Sequence, residues 1–137
     1  MATLTFILGL CGAGKSTLAN RIVAGRKFDE GFCLQPQQLL DLITELNRGN
    51  DCVVVEIAFC RAEKREVLVR ELESKVPDVR INWLCFENDL AIANKNCRER
   101  TDKEGDPETL VGINRNLSRD YTYPDGAVVL KMWTRDM

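Results

Sequence analysis

Eight consecutive residues constrain this chain more than any others: Gly9-Leu10-Cys11-Gly12-Ala13-Gly14-Lys15-Ser16, which fit the pattern G-x-x-x-x-G-K-[ST]. They follow an apolar run at 4–8 (LTFIL) and open a stretch at 15–24 that sets Leu18, Ala19 and Ile22 on one helical face. The order is therefore strand, tight turn, helix. Glycines let a backbone turn so sharply that successive N–H groups point inward and wrap an anion. A helix beginning at that point adds the positive end of its dipole. A lysine supplies a mobile cation for the outer phosphates, and a serine hydroxyl is a ligand for Mg²⁺. The expectation is that Gly9, Cys11, Gly12, Ala13, Gly14, Lys15, Ser16 and Thr17 hold ATP, or another nucleoside triphosphate, with Mg²⁺.

The rest of the chain alternates between two patterns. Residues 52–57 (CVVVEI) and 80–86 (RINWLCF) read as strands, 127–130 as a last strand, and Phe32-Cys33-Leu34 as a very short second one. Helices are expected after Pro36, with Leu39, Leu40, Ile43 and Leu46 as an apolar stripe, and at 61–76, where Glu66–Arg70 and Glu71–Lys75 are spaced i,i+4. Two more are expected at 90–100 and after Asp106-Pro107-Glu108, a cap, a helix-opening proline and a first-turn acid; the latter helix would turn Leu110, Ile113 and Leu117 inward. Gly25 would stop the first helix. Such alternation predicts an α/β fold, one domain over 1–137, with a mainly parallel sheet of about five strands covered on both faces.

A phosphate loop needs a partner acid for the metal's water shell, and that acid usually ends a neighbouring strand. Glu56, after Val53-Val54-Val55, is the only acid inside a strand-like segment and is expected to hold the metal together with Ser16. Transferring phosphoryl oxygens gather negative charge, which planar guanidinium groups complement. Arg98 and Arg100, closing the helix before the polar segment 101–105, are the expected donors, with Arg115 and Arg119 as a second pair. Lys15, Glu56, Arg98 and Arg100 make up the expected catalytic set. Arg61 and Arg65 are read as acceptor contacts or as surface residues. Asn94-Lys95 lacks the aspartate of a guanine-reading N-K-x-D, Cys97 standing in its place. Trp83 is expected in the core and Trp133 near the base.

Composition narrows the chemistry. With no histidine, imidazole acid–base catalysis and histidine metal ligation are excluded. The six cysteines form no C-x-x-C pair and lie mostly in apolar runs, as buried free thiols do. A net charge of −2 offers no basic field for long nucleic acid. No apolar stretch reaches the roughly 18 residues of a membrane span, so the chain reads as cytosolic.

With the loop, the Glu56 strand and the Arg98–Arg100 helix in this order, the chain resembles the small P-loop kinases. That group includes gluconate and shikimate kinases and the kinase domain of phage polynucleotide kinase. The resemblance implies a three-layer α/β/α sandwich, ATP with Mg²⁺, and an arginine-bearing lid, here around 94–120. It also implies an acid just after the second strand to orient the acceptor hydroxyl; Gln35 stands there, so either Glu56, Asp41 or Asp29 takes that role or the acceptor differs from the familiar ones. The short segment from Gln35 to Asn50 favours a small acceptor. Three functions follow in order: an ATP/Mg-dependent kinase of a small molecule, a nucleotide-binding sensor or slow ATPase without an acceptor, and a 5′-end nucleic-acid kinase.

Overall fold

The computed structural model describes residues 2–22, 26–31, 35–99 and 106–132. Its strands are β1 (Thr3–Leu8), β2 (Arg26–Gly31), β3 (Cys52–Glu56), β4 (Arg80–Phe86) and β5 (Val128–Leu130), and its helices α1 (Lys15–Arg21), α2 (Pro36–Asn47), α3 (Ala62–Lys75), α4 (Leu90–Arg98) and α5 (Pro107–Asp120). The strands form one sheet in the order β2-β3-β1-β4-β5, and every neighbouring pair is parallel. β1 is central: β2 and β3 lie to one side of it, β4 and β5 to the other.

Parallel strands require a crossover between them, and the helices supply it. All five residues of β3 are buried. Since successive side chains point to opposite faces, helices must cover both sides of the sheet there. This is the expected α/β sandwich. Leu42 and Leu46 of α2 and Leu68 and Leu72 of α3 join Leu4, Phe6, Val53 and Val54 in one core. Trp83 stacks on Phe6 at 4.4 Å between ring centroids, in register beside it, and is partly buried against that core. Cover thins toward β5, where Val128 and Val129 are exposed.

Several boundaries differ from those read in the sequence. The second strand is Arg26–Gly31; the expected Phe32-Cys33-Leu34 lies outside the described residues, as does Gly25. Asp29 of this strand pairs with Val55, so the polar sequence RKFDEG is tolerated at the sheet's edge, where one row of backbone groups faces outward. α1 stops at Arg21 because Ile22 turns extended. A short 3-10 turn, Ile57–Cys60, separates β3 from α3. The cap Asp106 forms as expected, accepting from the Glu108 N–H at 3.1 Å, but the buried stripe of α5 is Val111, Asn114 and Leu117. Leu110 and Ile113 are only half-buried. The helix is rotated so that an amide, rather than an isoleucine, faces inward.

Candidate phosphate site

The loop begins where β1 ends, at the C-terminal edge of the sheet. Gly12 and Gly14 have φ of 86° and 103°, a region that L side chains avoid, so both positions require glycine. Gly12 also has no room: a Cβ there would stand 2.7 Å from the Ala93 carbonyl oxygen and 3.0 Å from Cys97 Sγ. α4 thus packs directly on the loop. The Ala13 N–H closes a turn onto the Leu10 carbonyl at 3.1 Å, and Gly14 opens α1 without any side-chain cap. The Lys15 ammonium folds back over the loop and donates to the Leu10 carbonyl at 2.7 Å. Ser16 is half-buried in the first turn, and Thr17 points to solvent.

Behind the loop lies a cluster of polar side chains from α4 and α5. Asn114 is fully buried; its Oδ1 accepts from the Cys11 N–H at 2.7 Å and its Nδ2 donates to the Cys11 carbonyl at 3.0 Å and to Asn94 Oδ1 at 3.1 Å. Asn96 donates to the Gly12 carbonyl at 2.9 Å, and the Cys97 thiol donates to the Cys11 carbonyl at 3.2 Å. None of these contacts was foreseen from the sequence for Asn96, Cys97 or Asn114. The one signal was Asn114 itself, a polar residue three positions from Val111 and three from Leu117 on an amphipathic helix. Asn94 and Lys95 lie inside α4, so the guanine-reading motif is absent there, as expected.

Glu56 ends β3, and because Ile7 pairs with Val55 it lies level with Leu8, one residue before the loop. It is 1 % exposed. A carboxylate withdrawn from water is costly unless a cation or polar group faces it, and this one stands at the edge of a phosphate loop. Oxygen donors from Glu56 and Ser16 suit a hard cation such as Mg²⁺, which takes one or two protein oxygens with waters and phosphates. Among the described residues, no group of three or more Cys, Asp or Glu could hold a metal alone.

The arginines separate by role. Arg98 reaches from the last turn of α4 to Glu108 in the first turn of α5, 3.1 Å away, with both side chains largely exposed. The neighbouring carboxylate raises its pKa further above the ordinary arginine range. Arg100 lies outside the described residues, as does Trp133. Arg115 and Arg119 are exposed on α5. Arg61 pairs with Asp120 at 3.3 Å. Arg65, weighed as an acceptor contact or a surface residue, is neither. It is 6 % exposed and donates to the carbonyls of Phe59, Cys60 and Thr122 and to the Thr122 hydroxyl.

Gln35 is likewise a structural residue. It caps α2 in a reciprocal capping box with Gln38, its N–H donating to Gln38 Oε1 at 2.7 Å. Asp41 pairs with Arg26 at 3.5 Å, at the N-terminal start of β2, whereas the loop sits at the strands' C-terminal ends. Burial pushes the Cys60 thiol up to about 12 and those of Cys52 and Cys85 to about 11. These groups are therefore neutral packing residues rather than nucleophiles.

No family model matches the chain, and no curated protein matches its sequence. Solved structures do. A gluconokinase from Sinorhizobium meliloti 1021 is similar with a TM-score of 0.57 and 14 % identity, over 96 % of this chain and 83 % of the gluconokinase. The protein APE1195 is similar with the same TM-score and identity, over 96 % of this chain and 84 % of that one. The chain shares its fold, a parallel α/β sandwich, with these two structures. Among the described residues no helix is long and apolar enough to cross a membrane.

Proposed function

We propose that the protein is an ATP/Mg²⁺-dependent phosphotransferase acting on a small-molecule acceptor. The observation that carries this reading is the loop Gly9–Ser16, held at the C-terminal end of the central strand with two left-handed glycines and a lysine folded across it. Ligands of open parallel sheets bind in such a place, where strand order diverges to either side. The gluconokinase-like fold supports the kinase class and leaves the acceptor open.

In this reading the loop's inward N–H groups and Lys15 bind the β- and γ-phosphates. Ser16 and Glu56 would hold Mg²⁺, which would supply neutralisation of the phosphates' negative charge. Glu56 or Asp29 accepts the proton of the acceptor hydroxyl, since Asp41 is engaged at the far end of the sheet and Gln35 in a helix cap. Arg98 meets the transferring phosphoryl after leaving Glu108, an exposed partner whose hold is weak, and Arg100 is proposed to join it. The region 94–120 is the proposed closing segment of a single domain spanning 1–137. Free thiols at Cys11, Cys52, Cys60 and Cys85 suit a reducing compartment.

ATP consumption is to be measured against a panel of sugars, nucleosides and oligonucleotide 5′ ends. Turnover stimulated by a sugar or nucleoside, and abolished in Lys15→Ala, is expected. Slow hydrolysis indifferent to every acceptor would replace the proposal with the sensor or slow-ATPase reading. Stimulation by oligonucleotide ends alone would replace it with a 5′-end kinase. Full turnover in Lys15→Ala would remove the loop from the chemistry altogether.

A further inference from the structure

A phosphate loop works only if its peptide units face the correct way: N–H groups toward the anion, carbonyls away from it. Eight residues with several glycines do not hold that arrangement unaided, because glycine leaves the backbone free to rotate. Here the carbonyls are taken one by one. Leu10 O accepts from the Ala13 N–H and from Lys15. Cys11 O accepts from Asn114 Nδ2 and from the Cys97 thiol, and Gly12 O accepts from Asn96 Nδ2. Asn114 also accepts from the Cys11 N–H, so one buried amide grips both polar groups of the same residue.

We infer that Asn114, seconded by Asn96, is a positioning residue that sets the shape of the phosphate loop for its ligand. The inference rests on the triphosphate-binding reading above. Only an amide meets the demand at 114. Aspartate would keep an acceptor for the Cys11 N–H but lose the donor for the Cys11 carbonyl, and a leucine of similar size would lose both. The Asn114 side chain is completely buried, so a group of it left without a partner finds no bulk water. The same amide reaches Asn94 of α4 from α5, so the loop and the two helices are fixed by one group. Pre-orienting a loop in its bound shape raises affinity by removing an ordering cost from the binding step.

The test is calorimetric titration of the intact protein and its variants with Mg²⁺·ATP, well below each unfolding midpoint, together with amide hydrogen exchange at Cys11 in the free protein. Asn114→Asp is expected to weaken binding about tenfold or more, the effect of losing a buried hydrogen bond and placing an anion behind a phosphate site. Asn96→Ala is expected to weaken it by a smaller factor, about threefold, and it decides the matter if Asn114→Asp does not fold. Exchange at the Cys11 amide should accelerate in Asn114→Ala. Leu72→Ala, which truncates a buried α3 side chain, serves as the control: it should lower the unfolding temperature and leave affinity alone. Wild-type binding with unchanged affinity in both Asn114→Asp and Asn96→Ala overturns the inference and leaves triphosphate binding standing. No binding by the wild type overturns the triphosphate reading, and this inference with it. Equal loss of affinity in Leu72→Ala would assign the Asn114 effect to general destabilisation and overturn its positioning role.

Discussion

Two buried polar clusters do similar work in different places. Behind the phosphate loop, Asn96, Cys97 and Asn114 donate to backbone carbonyls at Cys11 and Gly12. At the start of α3, Arg65 donates to carbonyls at Phe59, Cys60 and Thr122. Both satisfy backbone outside the α-helices and strands, where buried polar groups still need partners. They differ in charge and in what they join. The loop cluster is neutral and shapes a few residues beside the expected ligand. The Arg65 cluster carries a full charge and ties the 3-10 turn and α3 to the chain leaving α5. A cation in front of the Cys11 and Gly12 carbonyls would compete with Lys15 for the anion; behind α3 no such competition exists. The difference predicts that one cluster governs binding and the other governs stability.

The largest effect that would sharpen this contrast is on catalysis. Lys15→Ala should reduce phosphoryl transfer by at least about a thousandfold, since positioning and electrostatics dominate this chemistry, while chemical denaturation stays near wild type. Next, Arg65→Met should cost about 2–3 kcal/mol in denaturant unfolding, because the buried carbonyls of Phe59 and Cys60 lose this donor. Its Mg²⁺·ATP affinity should stay within about twofold, since Arg65 bonds to no loop residue. A large loss of affinity in that variant would erase the distinction between the clusters. Gly12→Ala should affect both properties, because its φ is positive and its Cβ would strike the Ala93 carbonyl. About 1–3 kcal/mol of stability is expected to go with most of the binding.

Smaller effects concern the thiols and the exposed arginine. Cys52, Cys60 and Cys85 have pKa values raised from 9.0 to about 11, 12 and 11. Their unfolded counterparts ionise first, so the stability they contribute is full below pH 9 and declines as pH rises from 9 toward 12. Alkaline denaturation curves should show that decline, and a thiol reagent at neutral pH should label Cys11, which is only half-buried, well before those three. Arg98→Ala should leave Mg²⁺·ATP affinity and unfolding nearly unchanged, because its Glu108 pair is exposed, and should lower turnover. Unchanged turnover would confine Arg98 to linking α4 with α5.

Much of the frame was legible. The strands 4–8, 52–57 and 80–86 are apolar enough to be recognised without their partners, and the cap Asp106-Pro107 marks its helix locally. The edge strand β2 was not legible, because RKFDEG has few of the residues that mark a buried strand. Its pairing with β3 is a tertiary fact that local pattern does not contain. In the site, the loop was legible because its glycines and lysine are fixed by backbone geometry at short range. The Asn114 contact spans more than a hundred residues and depends on how α5 is rotated, and apolar periodicity chose Leu110 and Ile113 over Val111 and Asn114. Arg65 eluded the sequence for a related reason: a charged residue in the first turn of a helix reads as surface unless the carbonyls that surround it are known.

The central place of β1 has a consequence for how the molecule comes into being. Its hydrogen-bonding neighbours are β3 and β4, not the strand that follows it in the chain. During translation at about 5–20 residues per second, the apolar segment TLTFIL is made before its partners and waits with both edges open until Cys52–Glu56 and then Arg80–Phe86 emerge. The nascent chain thus displays a strand prone to pairing with the wrong molecule for several seconds. Crowded polysomes and fast initiation should lower the soluble yield, and slowing synthesis after residue 86 should do little to restore it.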